Sequence, residues 1–405
     1  MVEVHSKALK TTVNISRFIG KIENQTGPTV VFYAGIHGNE PAGIFALKQA
    51  FDTISPNQVN GSIYAISGNL SALRKSQRFI KQDLNRIWSE ENLKALENKT
   101  VLSDEEHEQF ELYEILKTIL NKNSPPYYFI DLHTTSSETL PFITINDALI
   151  NRKFADQYPV PIVLGIEEHL DGPLLSYING KGYVSVGFES GQHDNENAIS
   201  NALAFVYLTL GLTASINKDE FPEIDTHYEQ LKRYARKLND VFEIIHLHRL
   251  QNGDSFKMYP DFESFQNIKK GTLLAEANGE ILKATYSARI FMPLYQKKGK
   301  EGYFIIRKIH PFFLKLSEIL RKRKADGLLV VLPGVSWQDK SNGTLKVNLK
   351  IARFLAKQIF HLLGFRSKKT DATHLKLNNR ERVTKIEMYQ DLPWYSKSSA
   401  KNKAN

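Results

Sequence analysis

From residue 29 to about residue 225 the chain alternates short apolar runs with stretches whose apolar residues recur at helical spacing. Thr29-Val-Val-Phe-Tyr-Ala-Gly-Ile36 is almost unbroken in its apolarity, the pattern of a strand buried on both faces. Ala42 to Ile54 then predicts a helix, and Gly61 to Ser67 the next strand. Ser103-Asp-Glu-Glu106 has the form of a capping box and opens a helix to about Asn121, stopped by the Asn-Ser-Pro-Pro run at 123–126. Tyr127 to Leu132, Pro161 to Ile166 and Tyr183 to Phe188 predict further strands, with Asn195 to Leu210 a helix packed behind them. Strands alternating with helices imply a mostly parallel sheet in an α/β domain over residues 1–225.

The rhythm changes near Thr226. A linking helix leads into short runs around Asn278-Gly279, and Asn-Gly between apolar runs is a hairpin signal. Residues 226–310 therefore read as a smaller β-rich domain. The periodicity from Leu345 to Leu363 makes 311–365 a further segment ending in a helix, and 366–405 reads as a basic, flexible tail.

Composition narrows the chemistry. With 405 residues, 41% hydrophobic and 24% charged, the chain has ordinary globular usage and can bury a sizeable core. It has no cysteine, which excludes disulfides, thiolate-bound metals and a thiol nucleophile. Any metal is then left to His, Asp or Glu. The net charge is +9, but the last 40 residues hold ten Lys/Arg against four Asp/Glu, so the body shows no basic stripe and nucleic acid is not an expected partner. The amino terminus is polar and lacks a secretory pattern, and Ala202 to Ile216 is too short and too interrupted to span a bilayer. The expectation is a cytoplasmic protein with no membrane association.

Three clusters carry chemistry. His37-Gly-Asn-Glu40 falls just past a strand, where ligands sit in open α/β sheets. His133 closes Ile130-Asp-Leu-His133 at another strand end, completing the two-His, one-Glu set typical of catalytic zinc with one open position. Asp131 is assigned to the opposite face of that strand, in a supporting rather than a ligating role. Arg78, with Asp83-Leu-Asn85-Arg86, offers two guanidinium groups and an amide for binding a carboxylate and polarising a carbonyl. In Gly187-Phe-Glu189 a carboxylate ends a buried strand, a costly position unless it is paired or works as an acid and base. His193, nearby, is read as a hydrogen-bonded loop residue.

Together, Gly35-Ile-His-Gly-Asn-Glu40, Arg78 with Asp83-Leu-Asn-Arg86, Asp131-Leu-His133 and Gly187-Phe-Glu189 resemble the succinylglutamate desuccinylase and aspartoacylase family, which is related to the zinc carboxypeptidases. The motifs stand in family order over roughly residues 30 to 210, and 226–310 is similar to the family's small β domain. The resemblance implies a zinc-carboxypeptidase-like sheet with helices on both faces, and a β-rich domain capping the substrate pocket. It also implies one zinc per chain on His37, Glu40 and His133, with Glu189 activating water and Arg78 polarising the scissile carbonyl. Asn85 and Arg86 would hold the substrate's α-carboxylate. A tyrosine of the β domain is expected over the substrate; Tyr295 is the nearest match and Tyr303 competes. Aspartoacylase has an arginine in the loop before the catalytic glutamate, whereas Ser176 to Tyr183 contains none and only Lys181 could substitute. The expected activity is hydrolysis of the amide of a small N-acyl amino acid, with the acyl group left open and a homo-oligomer possible. A peptide-trimming metallocarboxypeptidase and a non-catalytic binding protein on the same fold are the alternatives.

Overall fold

The computed structural model describes residues 1–24, 26–341, 343–348, 357–369 and 374–396. Its centre is an eleven-stranded mixed sheet. In chain order the strands are β1 (Phe18–Glu23), β2 (Thr29–Ala34), β3 (Ser62–Ser67), β4 (Tyr127–Thr135), β5 (Phe142–Ile145) and β6 (Ile162–Leu164). They continue with β7 (Val184–Gln192), β8 (Val241–Arg249), β9 (Asn267–Ile268), β10 (Ala288–Phe291) and β11 (Glu301–Lys308). Across the sheet the order is β9-β10-β11-β8-β6-β5-β7-β4-β2-β3-β1. The middle of it, β3, β2, β4 and β7, is parallel, so the carboxyl ends of these strands open on one edge.

Alternation along the central strands places one set of side chains on each face. Val30, Phe32 and Ala34 of β2, and Tyr128, Ile130 and Leu132 of β4, join the core under helices α1 (Ala42–Thr53) and α3 (Glu196–Leu212). Val31 and Tyr33, with Tyr127 and Phe129, point the other way and pack with Leu112, Leu116 and Ile119 of helix α2 (Asp104–Lys122). Both faces are covered, which is why these strands read as continuous apolar runs. The capping box forms at the start of α2, where Ser103 N donates to Glu106 Oε2 at 2.8 Å. Among the described residues no helix is long and apolar enough to cross a membrane.

The segment from 226 onward is not detached. β8 pairs in parallel with β6 and antiparallel with β11, so the central sheet runs on through this region. The strand pair around Asn278-Gly279 is the expected hairpin, with φ of 52° and 79° at the two turn residues and Ala277 opposite Glu280.

Two expectations for the end of the chain are corrected. The periodic stretch begins as a strand: Thr344–Asn348 joins Val335–Asp339, Phe365–Lys369 and His374–Asn379 in a four-stranded sheet around Leu345, Val347, Phe365 and Leu377. A short helix, Lys357–Leu362, does follow; residues 349–356 lie outside the described ones. Nor are the described residues of 366–396 a free tail. Tyr389 and Trp394 are buried in the main core, where Tyr389 Oη donates to Tyr127 O at 2.6 Å and accepts from Val184 N at 3.1 Å. The net basic charge of the segment obscured these two apolar anchors, whose burial outweighs it. Trp394, packed on Tyr128, Phe154 and Tyr389, should cost about 3–5 kcal/mol when cut to alanine. Denaturant unfolding measures this, and a loss below about 1 kcal/mol would contradict a docked carboxyl-terminal segment.

Candidate metal centre and active site

The first two candidate ligands stand in the loop that leaves β2. A tight turn, Glu40 N donating to His37 O at 3.2 Å, brings their side chains together. Gly38 is required there because a Cβ would fall 2.1 Å from the carbonyl carbon of Ala72; its N–H donates to Arg78 O at 3.2 Å, drawing in the second motif. The loop carrying Arg78 is shaped by the fully buried Glu105 in the first turn of α2. This carboxylate accepts from the backbone N–H groups of Ile80, Lys81 and Gln82 at 2.6, 3.1 and 3.4 Å.

His37, Glu40 and His133 converge, with one ligand atom from each all within 4.8 Å of one another. Glu40 is buried between the imidazoles: Oε1 lies 2.8 Å from His37 Nδ1 and Oε2 lies 2.9 Å from His133 Nδ1. The outer ring nitrogens are held by carboxylates, His37 Nε2 by Asp83 Oδ1 at 3.2 Å and His133 Nε2 by Asp131 Oδ2 at 2.7 Å. Two imidazoles and a carboxylate, each imidazole backed by a further carboxylate, form a donor set that suits a divalent metal such as zinc. Burial alone would raise the Glu40 carboxyl, but the two histidines hold it well below the usual carboxylate range. Burial likewise opposes a proton on His133, yet Asp131 and Glu40 hold its pKa well above the ordinary imidazole value.

Asp131 lies on the same face as His133, which corrects the sequence expectation. Residues two apart on a strand share a face, here the one that also carries Tyr127 and Phe129.

Arg78 is nearly buried, with Nη1 3.3 Å from Glu40 Oε1 and Nη2 3.1 Å from Asp83 Oδ2. Glu189, on β7 directly opposite His133 in register, is buried, and its Oε2 has no hydrogen-bond partner. Burial pushes its carboxyl up to about 8 despite His133 nearby, suiting a group that must take and release a proton near neutrality. Asn85 Oδ1 accepts from Leu174 N at 2.9 Å while Nδ2 lies 3.5 Å from His133 Nε2. Arg86 is paired with Glu301, Nη2 to Oε1 at 3.3 Å. These groups line a cavity of about 120 Å³. Its far wall is built from β5, the segment around Ile166 to Ser176, and Met292, Leu294, Gln296 and Phe304.

Residues 26–172 match the family model for the succinylglutamate desuccinylase/aspartoacylase catalytic domain. Over those residues the chain carries that family's catalytic-domain pattern. It is 26% identical to the succinylglutamate desuccinylase of Pseudomonas putida over 300 residues, covering 68% of this chain and 81% of that protein. It is 27% identical to the N-acyl-aromatic-L-amino acid amidohydrolase (carboxylate-forming) of Xenopus tropicalis over 304 residues, covering 69% of this chain and 93% of that one. In fold it resembles the crystal structure of a succinylglutamate desuccinylase/aspartoacylase from Rhodobacter sphaeroides, with a TM-score of 0.55 and 14% identity over 72% of this chain and 88% of that one.

Not every expectation drawn from the resemblance survives. Lys181 is removed from the cavity, paired with Glu90 on the surface and set over the Tyr177 ring at 5.1 Å. Tyr295 is 40% exposed and lies outside the cavity; its Oη donates to Tyr259 O at 2.8 Å and accepts from Phe262 N at 3.0 Å. Tyr303 is buried and stacks on His248 at 5.3 Å. From this part of the chain Gln296 and Phe304 line the cavity instead. His193, read as a hydrogen-bonded loop residue, also lines the cavity; its Nδ1 lies 2.8 Å from Thr134 Oγ1 and its Nε2 3.2 Å from Gln296 Oε1. Sequence reasoning missed the role of Glu105 and the contributions of Gln296 and Glu301, because their partners lie far along the chain.

Asp131→Asn removes the negative charge behind His133 and should weaken divalent-metal affinity about 10–100-fold. Competition against a fluorescent chelator reads this, and unchanged affinity would contradict the assigned contact.

Proposed function

We propose that the protein is a zinc-dependent hydrolase that cleaves the amide bond of a small N-acyl amino acid or a related carboxylate-bearing amide. The observation that carries this reading is Glu189, a buried carboxyl with an unpartnered oxygen, level with His133 beside the His37, Glu40 and His133 cluster. Bound on those three residues, zinc would supply Lewis acidity and bring the pKa of a water from 15.7 down to roughly 7.

The protein's own groups have the remaining roles. Glu189 takes the proton from the attacking water and delivers it to the departing amine, as a carboxyl with a raised pKa can. Arg78, fixed by Glu40 and Asp83, directs its guanidinium at the carbonyl oxygen as negative charge develops there. Arg86 and Asn85 bind the substrate carboxylate, the former oriented by Glu301. The wall of Met292, Leu294, Gln296 and Phe304 limits the cavity to small molecules, which favours this reading over a peptide-trimming carboxypeptidase. Both named relatives above act on small molecules according to their names, and this too supports it.

Glu189→Gln keeps the shape and removes the proton carrier. Turnover of N-acyl amino acids should fall about 10²–10⁴-fold while zinc content stays near that of the unaltered protein. Retained turnover would show that another group moves the proton.

A further inference from the structure

On the cavity face of the sheet, Glu189 and His133 mark one end and a group of uncharged polar residues the other. Phe142 of β5 lies opposite Glu189 and Thr144 opposite Gly187, so Asn146, just past the strand, stands roughly 13 Å along the sheet from Glu189 at about 3.3 Å per residue. Thr144, Asn146, Ser176 and Ser185 form this floor, with Leu175 beside them. None of the five carries a charge. Lys181, which sequence had offered as the cation here, is on the surface. The neighbouring Asp147 is fully buried, and its carboxylate is held by Arg152 and Arg321.

Asn146 is 5% exposed and has one side of its amide occupied, Oδ1 accepting from Ser176 Oγ at 3.1 Å. Its Nδ2 is buried with no partner. A buried donor left unmade is costly, so a donor on a cavity wall marks where a ligand acceptor fits. A carboxylate in this floor would be desolvated with no cation to meet it.

We infer that the cavity floor binds a long uncharged arm of the substrate that ends in a neutral hydrogen-bond acceptor such as an amide or a hydroxyl, which takes the Asn146 Nδ2 hydrogen. The inference rests on the hydrolase reading and adds to it the class of group at the far end of the substrate. The substrate's carboxylate is left to Arg86 and Asn85.

The test uses N-acyl amino acids in which one arm, acyl chain or side chain, ends in a primary amide, a methyl group or a carboxylate, at increasing arm lengths. With the zinc-loaded full chain, the amide end should exceed both others by roughly 10–100-fold in kcat/KM, the worth of one buried hydrogen bond. Asn146→Leu should abolish that preference, bringing kcat/KM for the amide-ended substrate down to that for the methyl-ended one. Should Asn146→Leu fail to fold, Asn146→Asp, nearly isosteric and still able to accept from Ser176, should also lose the preference. A wild-type preference for the carboxylate or methyl end, or one that survives both substitutions, overturns the inference. Turnover with no preference overturns it while the hydrolase reading stands. Absence of turnover across the series contradicts the hydrolase reading; calorimetric binding then decides, tighter binding of the amide end sustaining the inference and equal binding of all three overturning it.

Discussion

The site depends on a carboxylate held between two imidazoles. Glu40 is buried and meets His37 through one oxygen and His133 through the other, while the far nitrogen of each ring is fixed by Asp83 or Asp131. Such a charge cannot be left alone in the protein interior, since an unpaired buried carboxylate would be strongly destabilising. Here the same pairing that makes it tolerable aims three donors at one point. Asp83 adds a second duty by gripping Arg78, so the orientation of the His37 ring and the position of the guanidinium are fixed together.

The fold delivers these groups through the parallel centre of the sheet. β2, β4 and β7 lie side by side in register, so the loop after β2 and the ends of β4 and β7 reach the same edge. Asp131, His133, Gly187 and Glu189 are alternate residues on one face of two neighbouring strands, while Ile130, Leu132, Val186 and Phe188 anchor the other face in the core. Far from that edge, Tyr389 bonds to the first residues of β4 and β7, tying the last described stretch of chain to the strands that carry His133 and Glu189.

The central strands and helices were legible because burial on both faces leaves long apolar runs, and the candidate metal-binding residues because His-Gly-Asn-Glu and Asp-Leu-His fall at strand ends. Local turn chemistry was equally readable, as Asn278-Gly279 shows. What escaped was long-range. Nothing near Lys181 in the chain reveals that Glu90 draws it to the surface, and nothing near Tyr295 shows that Tyr259 and Phe262 hold its hydroxyl outside the cavity. The carboxyl-terminal segment was misread for a related reason, its net basic charge concealing Tyr389 and Trp394. Asn146 carries no motif, and only its place on the cavity wall distinguishes it from any buried amide.

The most direct test of this account is a zinc-edge anomalous difference map from crystals of the zinc-loaded protein. The account predicts one strong peak about 2.0–2.2 Å from His37 Nδ1, His133 Nδ1 and a Glu40 oxygen, with Asp83 and Asp131 still on the outer ring nitrogens. A peak bound through Nε2, or one held by Asp83 or Asp131 in place of Glu40, would contradict it.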